Sequence, residues 1–121
     1  MYQIIFNKLS AAEMAALPKE LQLDLLAEFD VLPDNLDELD PKKFGKLEGD
    51  ARTIYRYRAR EHRIYFERRP EGITVLRVLH RNTLQDFLFR SKLSSGEDEQ
   101  LSQKDGFWEL IEAGAKAGKA K

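Results

Sequence analysis

Arginine recurs at alternate positions in the middle of the chain, where residues Thr53 to Arg60 read TIYRYRAR. Successive side chains of a β-strand point to opposite faces, so Arg56 and Arg58 share one face while Tyr55 and Tyr57 share the other. Neighbouring guanidinium groups repel each other without an anion, and their planar fork suits bidentate contacts with phosphate. The spacing therefore predicts a strand with one apolar face and one anion-binding face.

The next segment, His62 to Arg68, alternates in the same way and is separated from the first by only one or two residues. We expect an antiparallel hairpin in which Arg63 lies beside Arg58. Two interpretations stay open. The arginine face is a phosphate or nucleic-acid surface with Tyr65 available for stacking on a base, or it is an exposed face whose arginines pair with acidic residues of the first 50 positions.

A second candidate for chemistry is the pair His80–Arg81 at the end of a third strand. Histidine titrates near neutrality and arginine can hold a phosphate, so the two together suit phosphodiester chemistry. The alternative is a strand-end histidine with satisfied hydrogen bonds next to a solvated arginine. His62, in the hairpin turn, is expected to be solvated.

Helices should support this sheet from the N-terminal side. Tyr2 to Asn7 is predicted to be a first strand, and residues 10 to 32 a helical pair or one kinked helix that begins with a capping box formed by Ser10 and Glu13. Pro18 suits the first turn of the second helix. The apolar side chains spaced for one buried helical face are Leu21, Leu25, Phe29 and Leu32.

The remaining elements follow the hairpin. After a turn at Pro70 to Gly72, Ile73 to Arg81 is predicted to be a strand covered on both faces, because it is almost continuously apolar. Asn82 or Thr83 can cap a short helix that contains Leu84, Phe87 and Leu88. A polar linker begins at Ser94. Residues 104 to 114 are expected to be helical, with Phe107 and Trp108 forming a hydrophobic staple that holds the tail. Residues 115 to 121 are expected to fray.

Charge is strongly separated along the 121 residues, although the total is only −1. Residues 1–50 carry 5 basic and 11 acidic side chains, residues 51–92 carry 11 and 4, and residues 93–121 carry 4 and 6. In the middle segment 10 of the 11 basic residues are arginine, whereas all 9 elsewhere are lysine. This distribution favours an anionic partner for one face.

Several classes of protein are excluded or disfavoured. The chain has no cysteine, which rules out disulfides, thiolate metal sites and a cysteine nucleophile. The acidic stretch Pro33 to Pro41 does not have the spacing of a calcium loop, so no metal is expected. No signal peptide and no window of membrane-spanning length is visible, so we expect a cytoplasmic protein that makes no membrane contact.

The order and spacing of four segments resemble the RelE/ParE superfamily of toxins from type II toxin–antitoxin systems. The segments, within a resemblance over about residues 2–90, are Lys46 to Gly49, Tyr55 to Arg58, Glu61 to Tyr65 and Val78 to Asn82. The resemblance implies an α+β fold with an N-terminal helical pair packed on a twisted antiparallel sheet. It also implies a toxin domain over residues 1–92. Residues 93–121, expected to be a polar linker and C-terminal helical extension, depart from the family pattern, because these toxins commonly end soon after the last strand or a short helix.

The RelE branch implies a ribosome-dependent endoribonuclease that cleaves mRNA by attack of the ribose 2′-hydroxyl on the scissile phosphate, without a cofactor. By position, Arg56 and Arg58 would anchor substrate, Arg63 and Arg81 would stabilise the transition state, and His80 would be the general acid or base. Such an enzyme would have a cognate antitoxin, the ribosome and mRNA as partners. The substrate-binding set would also contain Tyr65 and Phe87.

The sequence departs from the RelE pattern near the end of the core, where Phe87 and Phe89 stand in place of an aromatic hydroxyl. Phenylalanine can stack on a base but cannot exchange a proton, so proton transfer would fall to His80 or Glu67. Two alternatives stay open: a ParE-like toxin that inhibits DNA gyrase, and a non-catalytic relative that binds RNA or antitoxin.

Overall fold

The computed structural model describes residues 3–30, 44–49, 52–59, 61–70, 72–83 and 105–118. These residues form five strands and three helices, and residues 81–83 are also helical. In chain order the elements are β1 (Gln3–Phe6), α1 (Lys8–Ala15), α2 (Lys19–Asp30), β2 (Phe44–Glu48), β3 (Thr53–Ala59), β4 (His62–Arg69), β5 (Gly72–His80) and α3 (Asp105–Lys116).

The strands form one sheet in the order β1-β5-β4-β3-β2. The predicted hairpin is confirmed, since β3 pairs antiparallel with β4 and places Arg58 opposite Arg63. Strand β1 differs from the expected antiparallel sheet because it pairs parallel with β5. The intervening elements supply the long connection that a parallel pair requires. The α+β class with a helical pair on the sheet is confirmed.

Helix α1 begins earlier than the sequence predicted. Its N-cap is Asn7, whose side-chain oxygen accepts a hydrogen bond from the Ser10 amide at 2.7 Å, while the Ser10 hydroxyl accepts one from the Asn7 amide at 3.0 Å. The prediction that Ser10 and Glu13 form the capping box is therefore wrong. Asparagine is as good an N-cap as serine, and here it directly follows the strand, so the helix begins immediately after it.

Helices α1 and α2 cover one face of the sheet. Leu21 and Leu25 are buried as their spacing predicted, and they pack in a cluster with β3, β4 and β5. The side chain of Phe29 and all of Leu32 lie outside what the structure describes. The cluster consists of Met14, Leu17, Leu21, Leu25, Tyr57, Ile64, Phe66, Ile73, Val75 and Val78.

Strand β5 is central and covered on both faces, as predicted, and it contains an irregularity. Tyr65 pairs with Arg77 but Phe66 pairs with Val75, so Leu76 is an extra residue. Such a bulge moves the following side chains to the other face. Arg77 consequently joins the side of the sheet opposite α1 and α2, and its Nη1 donates to the Leu110 carbonyl of α3 at 2.8 Å.

Helix α3 covers that opposite face. It extends from Asp105 to Lys116, two residues beyond the predicted end, so the prediction that fraying begins at residue 115 is wrong. Residues 119–121 lie outside the described part. Phe107 and Ile111 are fully buried against the sheet, and Trp108 lies against Gly49, where a β-carbon would stand 2.9 Å from the indole. The cluster on this face consists of Leu47, Ile54, Tyr65, Leu76, Leu79, Phe107 and Ile111.

Close approach between α3 and β5 depends on Gly114. A β-carbon at this position would overlap the Leu76 carbonyl oxygen and would lie 2.9 Å from Cδ of Arg77. The absence of a side chain thus allows the helix backbone to rest on the bulge. Of the helices that the structure describes, none is long and apolar enough to cross a membrane.

Candidate functional site at the end of the β3–β4 hairpin

The strand register brings four of the predicted site residues to one end of the sheet. Arg58 of β3 lies opposite Arg63 of β4, and Arg63 in turn lies opposite Leu79 of β5. His80 therefore ends β5 beside the hairpin, and Arg81 follows it. Arg58, Arg63, His80 and Arg81 lie within this region, although they are separated by up to 23 positions in the sequence.

Glu61, in the turn between β3 and β4, joins the hairpin to the end of β5. Its backbone carbonyl accepts a hydrogen bond from the Arg81 amide at 2.8 Å. Its carboxylate lies 3.3 Å from Nε2 of His80 through Oε2 and 3.6 Å from Nη2 of Arg81 through Oε1. A single side chain thus contacts both residues that the sequence predicted for the chemistry at the end of β5.

Both ring nitrogens of His80 are engaged. Nδ1 accepts a hydrogen bond from the Asn82 amide at 3.0 Å, so this nitrogen carries no proton in the arrangement observed. The other nitrogen, Nε2, then carries the proton of the ring, and it lies 3.3 Å from the Glu61 carboxylate. The histidine is thereby fixed in one tautomer by the two groups on either side of it.

His62 packs edge-on against His80, with ring centroids 5.1 Å apart and an interplanar angle of 89°. Partial burial lowers the pKa of His62, and the neighbouring His80 lowers it further. The expectation that His62 is solvated is wrong, because the side chain is only partly exposed and its Nδ1 is buried without a hydrogen-bond partner among the described residues. A neutral His62 is thus favoured beside His80.

Burial corrects the predicted arginine face. Arg56 is 2% exposed and Arg63 is 8% exposed, whereas Arg58 is exposed as expected. Arg63 also donates from Nη1 to the His62 carbonyl at 3.1 Å. The prediction of a uniformly accessible guanidinium face is therefore wrong, because, of Arg56, Arg58 and Arg63, the members of it that the structure describes, only Arg58 is exposed.

Tyr65 is not available for stacking on a base. Its ring is fully buried and makes an edge contact with Phe107 of α3, with centroids 5.1 Å apart. The physical reason is that α3 covers this part of the sheet and replaces solvent with an apolar helix face. The predicted exposure of Tyr65 is therefore wrong, and the same helix accounts for the burial of Ile54.

Glu67, the alternative proton-transfer residue, lies elsewhere. Its carboxylate is 3.6 Å from Nε of Arg52 and 3.5 Å from Nη2 of Arg69. Arg52 also lies 3.4 Å from Glu112 of α3. Glu67 thus belongs to an ion-pair network that links the sheet to α3, at the opposite end of β4 from His62.

Other predictions lie outside the described residues. These are the loop Pro33 to Pro41, Arg60, the short helix through Leu84, Phe87 and Leu88, and the linker from Ser94 to Glu99. Among the residues that the structure describes, no group of three or more histidine, aspartate and glutamate side chains is arranged to hold a metal ion.

The sequence reasoning missed Glu61 as a partner of His80. A signal was present, since Glu61 occupies the turn of a hairpin whose second strand pairs with the strand that ends at His80. Adding the antiparallel register would have placed the Glu61 carboxylate and His80 at the same end of the sheet. What the pattern of alternation alone does not reveal is which of the exposed polar side chains there come into contact.

Comparison with curated proteins and with solved structures returned no match. A family model described as ParE toxin of type II toxin-antitoxin system, parDE, matches residues 4–84. The match begins at the second residue of β1, extends through β5 and includes the Glu61–His80–Arg81 cluster, and it ends before α3. Membership implies a toxin with a cognate antitoxin as its partner, in agreement with the α+β architecture described above. The chain therefore belongs to the ParE toxin family of type II toxin–antitoxin systems.

Proposed function

We propose that this toxin is a metal-independent, ribosome-dependent endoribonuclease that represses translation by cleaving mRNA. The observation that supports the proposal best is that the Glu61 carboxylate contacts both His80 and Arg81, at the end of the sheet where Arg58 and Arg63 also lie. Cationic groups next to an acid–base pair are the side chains that cleavage of a phosphodiester requires.

The proposed reaction uses the ribose as its own nucleophile. The 2′-oxygen loses its proton and forms a bond to phosphorus, while the bond from phosphorus to the 5′-oxygen breaks and that oxygen takes up a proton. The products are a 2′,3′-cyclic phosphate and a 5′-hydroxyl, and no redox partner is consumed. The Glu61–His80 pair is the candidate for removing the proton, since Nε2 of His80 lies 3.3 Å from the Glu61 carboxylate.

The arginines have different access to such a substrate. Arg58 is exposed and the side chain of Arg81 is 52% exposed, so both can contact a phosphate on the surface. Arg63 is buried opposite Arg58 and Leu79, on the other side of the sheet from His80, so in this proposal it adds positive charge to this end of the sheet and does not contact the phosphate. Arg56 and Tyr65 are buried and have no substrate contact in this proposal.

Purified ribosomes programmed with a defined mRNA provide the test. Parent protein should produce 5′-hydroxyl ends at A-site codons, and Arg81→Gln should lower the cleavage rate about 10²- to 10³-fold, as the loss of one transition-state donor typically does. Arg68→Gln is the matched control, because Arg68 is an exposed arginine at the far end of the same strand as Arg63. Equal rates for the two variants would contradict the assignment.

Arg58 should contribute to binding. Replacing it with Gln should reduce ribosome or RNA affinity and lower the dependence of affinity on salt by about one released counterion. An unchanged salt slope would remove Arg58 from the proposed interface.

A second candidate is inhibition of DNA gyrase, in which the toxin binds a protein and cleaves no RNA. Two observations favour it: the family match is to ParE toxins, and α3 buries part of the face that an RNA would otherwise contact. Induction of the protein separates the two candidates. Rapid arrest of bulk translation with normal DNA supercoiling supports the endoribonuclease, whereas gyrase-linked DNA damage with continued translation supports the gyrase inhibitor.

A further inference from the structure

We infer that Glu61, rather than His80, takes the proton from the 2′-hydroxyl, and that His80 is a positioning residue for the Glu61 carboxylate. This inference rests on the proposed endoribonuclease function. It assigns the base to a residue in the hairpin turn that neither the charge pattern nor the alternation of the strands identified.

The hydrogen bonds of His80 are the first argument. A general base needs a lone pair free to approach the proton that it removes. In neutral His80 the lone pair is on Nδ1, and it already accepts from the Asn82 backbone amide at 3.0 Å. Nε2, which then bears the ring proton, lies 3.3 Å from Oε2 of Glu61. Neither nitrogen is thus available to a hydroxyl while these contacts persist.

The Glu61 carboxylate, in contrast, is accessible to a substrate and can accept a further hydrogen bond. Its side chain is 56% exposed, compared with 35% for His80. Each carboxylate oxygen has about two lone-pair sites, and Oε2 faces His80 while Oε1 faces Arg81. One further hydrogen bond from a ribose hydroxyl can therefore be accepted without displacing either partner.

The contacts around Glu61 also fix its position. The backbone hydrogen bond from the Arg81 amide ties the turn to the end of β5, and His80 and Arg81 then hold the two carboxylate oxygens. Arg81 is thereby near both the carboxylate and the place where a bound phosphate would lie. In the step proposed, the hydroxyl proton moves to a Glu61 oxygen, the 2′-oxygen bonds to phosphorus, and the 5′-oxygen departs with a proton from water.

The test compares two isosteric variants on programmed ribosomes. Glu61→Gln keeps an oxygen that can accept from His80 but removes the base, so the cleavage rate should fall about 10²- to 10⁴-fold. His80→Gln keeps an amide N–H that can donate to Glu61, so the rate should fall by no more than about tenfold. Glu48→Gln is the matched control, because Glu48 is an exposed glutamate on β2 whose carboxylate pairs with Lys46.

The pH dependence of the rate distinguishes a base from a structural residue. With Glu61 as the base, the acidic limb of the profile should disappear in Glu61→Gln and persist in His80→Gln. Thermal melts of both variants verify that each is folded. A loss in His80→Gln as large as that in Glu61→Gln, or an acidic limb retained in Glu61→Gln, overturns this inference but leaves the endoribonuclease proposal intact. Absence of cleavage by the parent protein refutes the proposed function and this inference with it.

Discussion

Gly114→Ala should destabilise the protein, although alanine is the better helix former. At an exposed interior position of a helix, alanine is favoured over glycine by about 1 kcal/mol. Gly114 is buried in α3, however, and a β-carbon there would overlap the Leu76 carbonyl oxygen and crowd Cδ of Arg77. The sign of the effect is therefore decided by the packing of α3 on β5.

The steric cost is expected to exceed the gain in helix propensity. Adding a methyl group to a well-packed site typically costs about 1–3 kcal/mol. Here the upper part of that range applies, because the overlapping oxygen belongs to the backbone of a central strand and cannot rotate away. With about 3 kcal/mol lost and about 1 kcal/mol gained, the free energy of unfolding should fall by about 2 kcal/mol.

Equilibrium urea unfolding of the full chain measures this difference. Ala113→Gly, at an exposed position of the same helix, is the control for propensity alone and should cost about 1 kcal/mol. A Gly114→Ala variant as stable as the parent protein, or more stable, would refute the contact between α3 and the β5 bulge. That result would also remove the reason given for the burial of Tyr65.

Three further predictions concern the core, an ion pair and pH. Phe107→Ala should lower the free energy of unfolding by about 3–5 kcal/mol, because the ring is fully buried; a loss below 1 kcal/mol in urea unfolding would contradict its place in the core. Arg77→Met should cost about 2 kcal/mol, because the Glu13 carboxylate loses its 2.6 Å partner and keeps only the Val78 amide, and a further Glu13→Gln substitution should recover part of that loss. Burial lowers the pKa of His62, so the unfolded chain binds a proton at this side chain more readily than the folded chain does. The contribution of neutral His62 to the free energy of unfolding should therefore be fully present above about pH 6.5 and decrease at lower pH. Thermal melts at pH 5 and pH 8 should show a smaller decrease for His62→Gln than for the parent protein.

The sheet was predictable where local alternation determines it. In β3 and β4, period-two patterns placed Tyr57 and Ile64 on one face and Arg56 and Tyr65 on the other, and the structure has these pairs opposite each other in register. The alternation predicts which side chains share a face. It does not predict what covers that face, because the covering element α3 lies more than 30 residues further along the chain.

The prediction that the arginine face is exposed was wrong for that reason. A strand face rich in arginine is usually solvated, and nothing within residues 53–69 indicates that an apolar helix packs above part of it. Phe107 and Ile111 carried a signal of their own, since they recur at a helical spacing in an otherwise polar C-terminal stretch. Their burial against Tyr65 needed a tertiary contact that spacing alone does not specify.

The bulge at Leu76 shows a different limit. A continuously apolar strand such as β5 has no alternation, so an extra residue leaves no trace in the pattern. The consequence is nevertheless large, because the shift turns Arg77 toward α3, where it joins Glu13 of α1 to the Leu110 carbonyl. An extra residue that the sequence pattern does not reveal thus allows Arg77 to contact both α1 and α3.

The same extra residue sets the register at the functional end of β5. From Tyr65 onward toward the hairpin turn, each residue of β4 is opposite a β5 residue displaced by one, which brings His62 opposite His80 and places Glu61 beside Arg81. Without the extra residue, the end of β5 would be out of step with the turn, and the carboxylate would not meet His80. The packing of α3 on the bulge and the geometry of the candidate site therefore depend on one feature of the strand, and a change at Leu76 that removed the bulge would alter both together.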